Sequence, residues 1–423
     1  MSWIRRKLDT ASTAAFSTYA IAAAFSAYFC MYAFRKPFAA ATFEGELGDA
    51  IDLKIALVIA QVVGYALSKF LSIKFVSEIS PTRRAATLLG LIAAAELALG
   101  VFAVVPPGGK VIAIFFNGLP LGAVWGLVYG FLEGRRTSEL LGAGLSTSYI
   151  VASGAVKSVG AAWLEAGVSE SWMPFITGLC FAPAFLLAVY LLRQLPPPTP
   201  EDEAARTVRA PMRGPERVAF IKRFAFGLVT LTGLYMFLTA YRDFRDNFAA
   251  EIWGALGWGD EPAIFTASEL PVALMVMAAL ASIYTIKGNR TALLAIHALM
   301  AVGTILIGGA TLLFDAGLIS GAVWMVALGV GLYLAYVPYG CVLFDRLIAA
   351  TGAVGTAVFM IYVTDAFGYA GSVGLLLFKN FGGADLSWLD FFRGFSYASA
   401  VACTAAFVAS GLYFSRLTRE DRS

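Results

Sequence analysis

Phe34-Arg35-Lys36-Pro37-Phe38-Ala39-Ala40 closes the first long apolar run of the chain, and Phe244-Arg245-Asp246-Asn247-Phe248-Ala249-Ala250 closes the seventh. The two segments agree at Phe, Arg, Phe, Ala and Ala, with a constant offset of 210 residues (245 − 35). So short a match gains its weight from position. Each copy ends the first apolar run of one half of the chain, where a duplicated fold would place it.

The chain around them is 423 residues long, 59% hydrophobic and 14% charged, with a mean hydropathy of +0.76. Soluble domains average roughly 45–50% apolar and about 25% charged residues, so lipid is the main solvent here. A spanning helix needs about 20 mostly apolar residues. Such runs lie near 14–36, 54–76, 85–105, 111–132, 140–164 and 172–194, then near 222–249, 264–286, 291–314, 318–344, 353–378 and 390–415. Between the two sets stand Pro196-Pro197-Pro198-Thr199-Pro200 and a polar stretch from Glu201 to Arg217, read as a solvated linker. The expected fold is therefore an all-α membrane protein of twelve helices: a six-helix bundle over 1–195, a linker over 196–218 and a second bundle over 219–423. Parallel six-helix repeats related by a pseudo-two-fold axis, with the substrate site between them, define the major facilitator architecture.

Short cytoplasmic loops are rich in Lys and Arg. With the N-terminus inside, the inner segments hold Arg5, Arg6, Lys7, Lys74, Arg83, Arg84, Arg135, Arg136, the linker basics, Lys287, Arg290, Arg346 and three C-terminal arginines. The outer loops hold Lys36, Lys54, Lys110, Lys379 and Arg393, a bias of about fourfold that puts both termini in the cytoplasm. The basic start before an apolar run mimics a signal peptide, but the run passes twenty residues without a clean cleavage site and reads as the first span. Cys30, Cys180, Cys341 and Cys403 each fall in an apolar run without metal-ligand spacing, and read as packing residues.

No phosphate-binding loop, metal cluster or nucleophile motif is present. Pro106-Pro107-Gly108-Gly109-Lys110 lacks phosphate-loop spacing and reads as an outer turn. The expectation is a protein that is not an enzyme, uses no cofactor or metal, and is driven by an ion or solute gradient. A net charge of +3 gives no case for nucleic acid. The expected partners are a small anionic solute and the bilayer of the inner membrane, with the chain a monomer.

A charge at the bilayer centre costs about 2.5–3.5 kcal/mol or more, so such residues usually face a cavity or a partner. The basic set is Arg35, Lys69, Lys157, Arg242 and Arg245; the acidic set is Asp243, Asp246, Glu269, Asp345 and Asp365. Arg35 lies near the outer end of its span, where snorkelling is the plain alternative. The repeat partner Arg245 argues against that. Two guanidiniums facing a cavity are stabilised by a dianion between them, and each can hold phosphate oxygens with paired hydrogen bonds that lysine cannot copy. Lys69 and Lys157 lie deep in their spans, Lys157 with a structural ion pair as the alternative. Asp365 and Glu269 fit structural partners and proton carriers equally. Asp345-Arg346 reads as a solvated or gate pair, and His297, the only histidine, as a packed or lipid-facing side chain.

Tyr28-Phe29-Cys30-Met31-Tyr32-Ala33-Phe34-Arg35-Lys36-Pro37-Phe38 resembles the first helix of the organophosphate:phosphate antiporters, the group of the glycerol-3-phosphate and hexose-phosphate transporters. That family places tyrosines seven and three residues before its arginine, as Tyr28 and Tyr32 stand here. Tyr65 through Phe70 is similar to its Tyr-x-x-Ser-Lys-Phe pattern, with Lys69 as the lysine. Trp125 fits a substrate-lining tryptophan, although Leu121 replaces the family's polar residue four positions earlier. Glu269 before Pro271, the loop Lys287-Gly288-Asn289-Arg290, Tyr336 before Pro338 and Tyr369 resemble family positions of the second half. The family's histidine of the fifth helix is missing, with Lys157 the nearest charge, and Arg242, Asp243, Asp246 and Asp365 are additional.

The resemblance implies exchange of a phosphorylated or phosphonate metabolite for phosphate by rocking of two halves. Arg35 and Arg245 would clamp the anion, Lys69 would add charge, and Tyr28, Tyr32, Tyr65, Tyr336 and Tyr369 would donate hydrogen bonds. Lys36 with Asp246 or Glu251, and Arg245 with Glu269, would be ion pairs that exchange as substrate arrives. Two other readings stay open: a proton-coupled symporter using Asp365 or Glu269, and a membrane sensor on the same fold.

Overall fold

The computed structural model describes residues 2–47, 51–133, 135, 137–204, 214–352, 357–382 and 386–420. Arg136 and the basic residues within 205–213 and 421–423, counted above for orientation, lie outside the described residues. The chain forms two compact units, Met1–Thr207 with Asp260–Thr266, and Val208–Gly259 with Ala267–Ser423.

In the first unit a short helix α1 (Trp3–Asp9) precedes α2 (Thr13–Met31), whose start is capped by the Ser12 hydroxyl accepting from the Ala15 N–H at 3.2 Å. Two 3-10 turns follow, Tyr32–Phe34 and Pro37–Ala40, then a small antiparallel ribbon of β1 (Glu46–Leu47) and β2 (Ile51–Asp52) with Glu46 opposite Asp52. The unit continues through α3 (Leu53–Glu78), α4 (Arg84–Val104), α5 (Pro107–Leu121), α6 (Val124–Tyr129), α7 (Ser138–Glu165), α8 (Met173–Arg193) and α9 (Pro200–Ala204). The second unit holds α10 (Gly214–Arg223), α11 (Ala225–Asn247), α12 (Ala249–Ala255), α13 (Ile264–Tyr284) from Ala267 on, α14 (Asn289–Asp315), α15 (Gly321–Cys341), α16 (Leu343–Thr351), α17 (Ala357–Phe381) and α18 (Trp388–Glu420).

Nine helical stretches among the described residues are long and apolar enough to cross a membrane. The other three expected spans correspond to α7, α11 and α17, which carry Lys157, the charged group Arg242 to Asp246, and Asp365 with Lys379. Every one of the twelve expected apolar runs has its helix.

The two units repeat one packing scheme. The first long helix lies against the fifth and sixth, α2 on α7 and α8, and α11 on α17 and α18. The third lies against the fourth and sixth, α4 on α5 and α8, and α14 on α15 and α18. The duplicated phenylalanines have duplicated roles. Phe34 meets Phe185 of α8 at 6.0 Å, and Phe244 meets Phe392 of α18 at 5.7 Å. Phe38 and Phe248 are both fully buried. Phe34 and Phe244 thus form one packing joint used twice.

Several expected boundaries shift for local reasons. The first span does not stay α-helical to residue 36: Pro37 has no N–H to donate and disfavours helix at the residue before it, so the chain turns through 3-10 geometry from Tyr32. The fourth span divides into α5 and α6 beyond Pro120. The tenth ends at Cys341, and an amphipathic α16 follows. The stretch at 106–110, expected as an outer turn, instead opens α5. Pro107 takes the first helical position, where a missing N–H costs nothing, and Lys110 is buried with its ammonium donating to the Phe102 carbonyl at 3.0 Å and the Ser171 hydroxyl at 2.7 Å. His297 is packed, its ring bonded to the Leu293 carbonyl and to Ser410.

Helices α14 and α15 touch backbone to backbone through Gly303 and Gly331. A Cβ on either would stand 2.5 Å from the other's carbonyl oxygen. Gly331→Ala should therefore cost about 1–3 kcal/mol by overpacking. Gly340→Ala, where a Cβ meets nothing within 4 Å, should be neutral or slightly stabilising. Thermal unfolding of the purified protein in detergent checks this, and equal midpoints for the two variants would refute the close approach.

Candidate functional site

In the first unit the break after α2 places Arg35 where an α-helix no longer satisfies its carbonyls. Side-chain amides of neighbouring helices do so instead. Gln61 of α3 donates to the Arg35 carbonyl at 3.0 Å and to the Asn117 oxygen at 2.9 Å. Asn117 of α5 donates to the carbonyls of Phe34 at 2.8 Å and of Ala95, in α4, at 3.0 Å. Both amides are buried. One network thus ties four helices beneath the arginine and fixes its backbone, since unpaired carbonyls at this depth are costly.

Above that base the Arg35 guanidinium lies 3.8 Å from the centre of the Tyr65 ring, and the Lys69 ammonium lies 5.6 Å from the same centre. Tyr65 and Lys69 are four residues apart on α3, hence on one helix face. Tyr28 adjoins Tyr65, Tyr32 and Arg35, with its ring edge-on to Tyr32 at 5.6 Å. Five expected residues therefore converge: Arg35, Lys69, Tyr28, Tyr32 and Tyr65. Their chemistry is two cations on one electron-rich ring, flanked by phenols that can donate to an anion. Trp125, on α6, stacks on Tyr129 at 5.0 Å, and Lys157 is buried on α7 with its ammonium 5.7 Å from the Phe265 ring. Lys36 is buried at the start of the second 3-10 turn.

The second unit's centre is mixed in charge. Arg245 forms a 2.7 Å ion pair with Glu269 of α13 and donates to the Met325 carbonyl at 3.0 Å. Gly329 makes room for it, because a Cβ there would stand 2.8 Å from the guanidinium. The pair is single-pointed: Arg245 Nε and Glu269 Oε2 are buried with no hydrogen bond among the described residues. Asp246 and Glu269 adjoin Tyr333, and Glu251 sits in the first turn of α12.

A step back along α11, Arg242 pairs with Asp243 at 2.7 Å, and Asp243 also accepts from the Ser372 hydroxyl at 2.7 Å. Arg242 covers the Tyr336 ring at 4.6 Å and donates to its hydroxyl. The Tyr336 and Tyr235 hydroxyls share a 2.9 Å hydrogen bond, and Tyr235 donates to Asp365 at 2.7 Å. Tyr369 adjoins Arg242 and Tyr235. The side chain of Arg242 is 18% exposed against 5% for Arg245, so Arg242 is the more accessible of these two guanidiniums.

Sequence reading did not assign Gln61, Asn117, Tyr235 or Ser372 to the site. Each was visible as a polar group in an apolar run, but an uncharged residue gives a weaker signal there than a charge. Arg242 and Asp243 stand out in the sequence as intramembrane charges, but without a role in the site.

Two helical units with one internal packing scheme, built largely from helices long and apolar enough to cross a membrane, define a multi-pass membrane protein of the major facilitator fold. Solved structures agree. The chain superposes on a D-xylose-proton symporter with a TM-score of 0.57 and 15% identity, covering 94% of this chain and 96% of that one. A POT family transporter in complex with a thioalcohol-conjugated peptide gives 0.56 and 14% over 93% and 96%. A mutant of the nucleoside transporter NupG gives 0.60 and 12% over 93% and 99%. No curated protein matches this sequence. Residues 37–417 match the model of the family described as "Family of unknown function (DUF5690)", and the chain belongs to that family.

Proposed function

We propose that this chain is a secondary active transporter of a small organic anion, a phosphorylated or phosphonate metabolite exchanged for phosphate by alternating access across the inner membrane, with both termini cytoplasmic. The observation that carries this reading is the convergence of Arg35 and Lys69 on the one buried Tyr65 ring within the first unit. Two cations gathered on one ring give an anionic guest two positive groups to bind. Arg35 can hold phosphate oxygens in a planar fork, and Tyr28 and Tyr32 can donate to the remainder. In the second unit, Arg245 acts as the exchanging ion pair. Its single contact to Glu269 leaves Nε to hold a second acceptor, so an arriving anion competes with the carboxylate and couples occupancy to conformation.

A second reading is favoured by the relay Arg242–Tyr336–Tyr235–Asp365, which links a guanidinium to a carboxylate through two phenols. Such a chain suits a proton-coupled symporter with Asp365 as the proton carrier. Vesicles loaded with inorganic phosphate separate the two. The exchange reading predicts uptake of phosphate esters or phosphonates that depends on internal phosphate and ignores an imposed pH step. The symport reading predicts the reverse. Uptake of neither kind across a panel of phosphate esters, phosphonates and carboxylates would overturn both.

A further inference from the structure

We infer that Glu96 is a membrane-embedded proton-binding site, held in its neutral carboxylic form between α4 and α8. It is separate from the residues discussed above and does not depend on what the protein transports.

Glu96 is residue 13 of the 21 in α4 (96 − 84 + 1), so it lies near the middle of a span. Both carboxyl oxygens are buried, and neither has a hydrogen-bond partner among the described residues. The carboxyl fills the space over Gly178 on α8. A Cβ at Gly178 would overlap Glu96 Oε2, and it would stand 2.8 Å from the carboxyl carbon and 2.9 Å from Oε1. The glycine thus makes a cradle that the acid occupies. Around it the surface is apolar, with Leu97, Val101 and Leu179 exposed on the face that meets lipid.

The surroundings offer no compensating charge. On α4 itself, Arg84 is 12 residues away (96 − 84), ~18 Å along the helix at 1.5 Å per residue, and donates to the Gly130 carbonyl. From α5, Lys110 is held on the Phe102 carbonyl and Ser171, and Asn117 is used by Phe34, Ala95 and Gln61. From α8 come Cys180, which is exposed, Tyr190, and Arg193, 15 residues beyond Gly178 (193 − 178) and so ~22 Å along that helix. From α6 and the first 3-10 turn come Tyr129, stacked on Trp125, and Tyr32, against Tyr28.

The equivalent seam in the second unit, α14 on α18, also contains polar groups, but there they are paired. His297 bonds the Leu293 carbonyl at 2.8 Å and Ser410 at 3.1 Å, and Thr304 bonds Thr404 at 2.7 Å. An ionised carboxylate without donors or a counter-charge is among the costliest groups to bury, and a buried acid answers by keeping its proton. Ionisation of Glu96 therefore requires water in the seam, which makes proton release and the parting of α4 from α8 one event.

The test uses the full-length protein in lipid at pH 7, without substrate. In infrared difference spectra of wild type against Glu96→Gln, a protonated-carboxyl C=O band that shifts in D2O should be lost in the variant. Loss of an ionised-carboxylate band in its place would overturn the inference. A hydrophobic carbodiimide gives an independent readout. The carboxylic O–H adds across its C=N bond, oxygen to carbon and hydrogen to nitrogen, and acyl transfer to nitrogen leaves a stable N-acylurea detectable by mass spectrometry. A carboxyl of ordinary solution acidity carries a proton at pH 7 in about one molecule in 500, so Glu96 should label at least ~100-fold faster than water-exposed acids. Glu96→Leu, which needs no hydrogen bond, is the second variant and should fold at wild-type yield. A carboxylic band that persists in both variants would also sink the inference.

Discussion

Arg245→Ala should destabilise the second unit by about 3–5 kcal/mol, because it strands Glu269 as an unpaired buried charge. For a unit of this size the thermal midpoint should fall by roughly 6–20 °C. The two side chains are 5% and 11% exposed, which places the pair in the regime where removing one partner is costly. Removing both is a different matter. Arg245→Leu combined with Glu269→Leu should recover most of the loss, since apolar groups need no partners in this packed site. Thermal scanning of the purified single and double variants measures the coupling directly. Additive losses would show that the 2.7 Å contact does not govern the site.

Arg35→Lys carries the largest expected effect on activity. The substitution keeps the charge but loses the planar face that lies 3.8 Å over Tyr65 and the fork that grips two oxygens at once. A hydrogen bond to a charged group contributes about 1.5–3 kcal/mol, so exchange of a phosphate ester should drop roughly 10- to 100-fold. Folding should be unchanged, because the amides of Gln61 and Asn117 hold the backbone at this point through its carbonyls. Counterflow in reconstituted vesicles gives the answer. Wild-type rates in the lysine variant would rule out a guanidinium-specific anion site.

Helices were legible here because hydropathy over twenty residues depends little on neighbours. The duplicated Phe-Arg-Phe-Ala-Ala motif was legible for another reason. Its phenylalanines perform the same packing task against the sixth helix of each unit, so both copies stay under one constraint. What was not legible is how charges are shared. Arg242 and Arg245 stand three residues apart on one helix, yet Arg242 joins Asp243 and two tyrosines while Arg245 joins Glu269. Which arginine takes which acid depends on the placement of α13, α15 and α17, which no local pattern states. Gln61 and Asn117 were hidden in the same way. A neutral amide in an apolar run becomes informative only when the carbonyls it serves are known.

That amide network also has a schedule. Asn117 follows Phe34 by 83 residues, and at synthesis rates of ~5–20 residues per second it emerges roughly 4–17 s later. Until then the Phe34 carbonyl lacks its permanent donor, and Gln61, already made, lacks the Asn117 oxygen it is to bond. The arginine that the anion would meet therefore has a fixed address only after the fourth membrane helix has arrived. A nascent chain halted before that helix would hold every atom of Arg35 and Lys69 and still lack their framework. Biogenesis, and not sequence proximity, sets the moment at which this site comes into being.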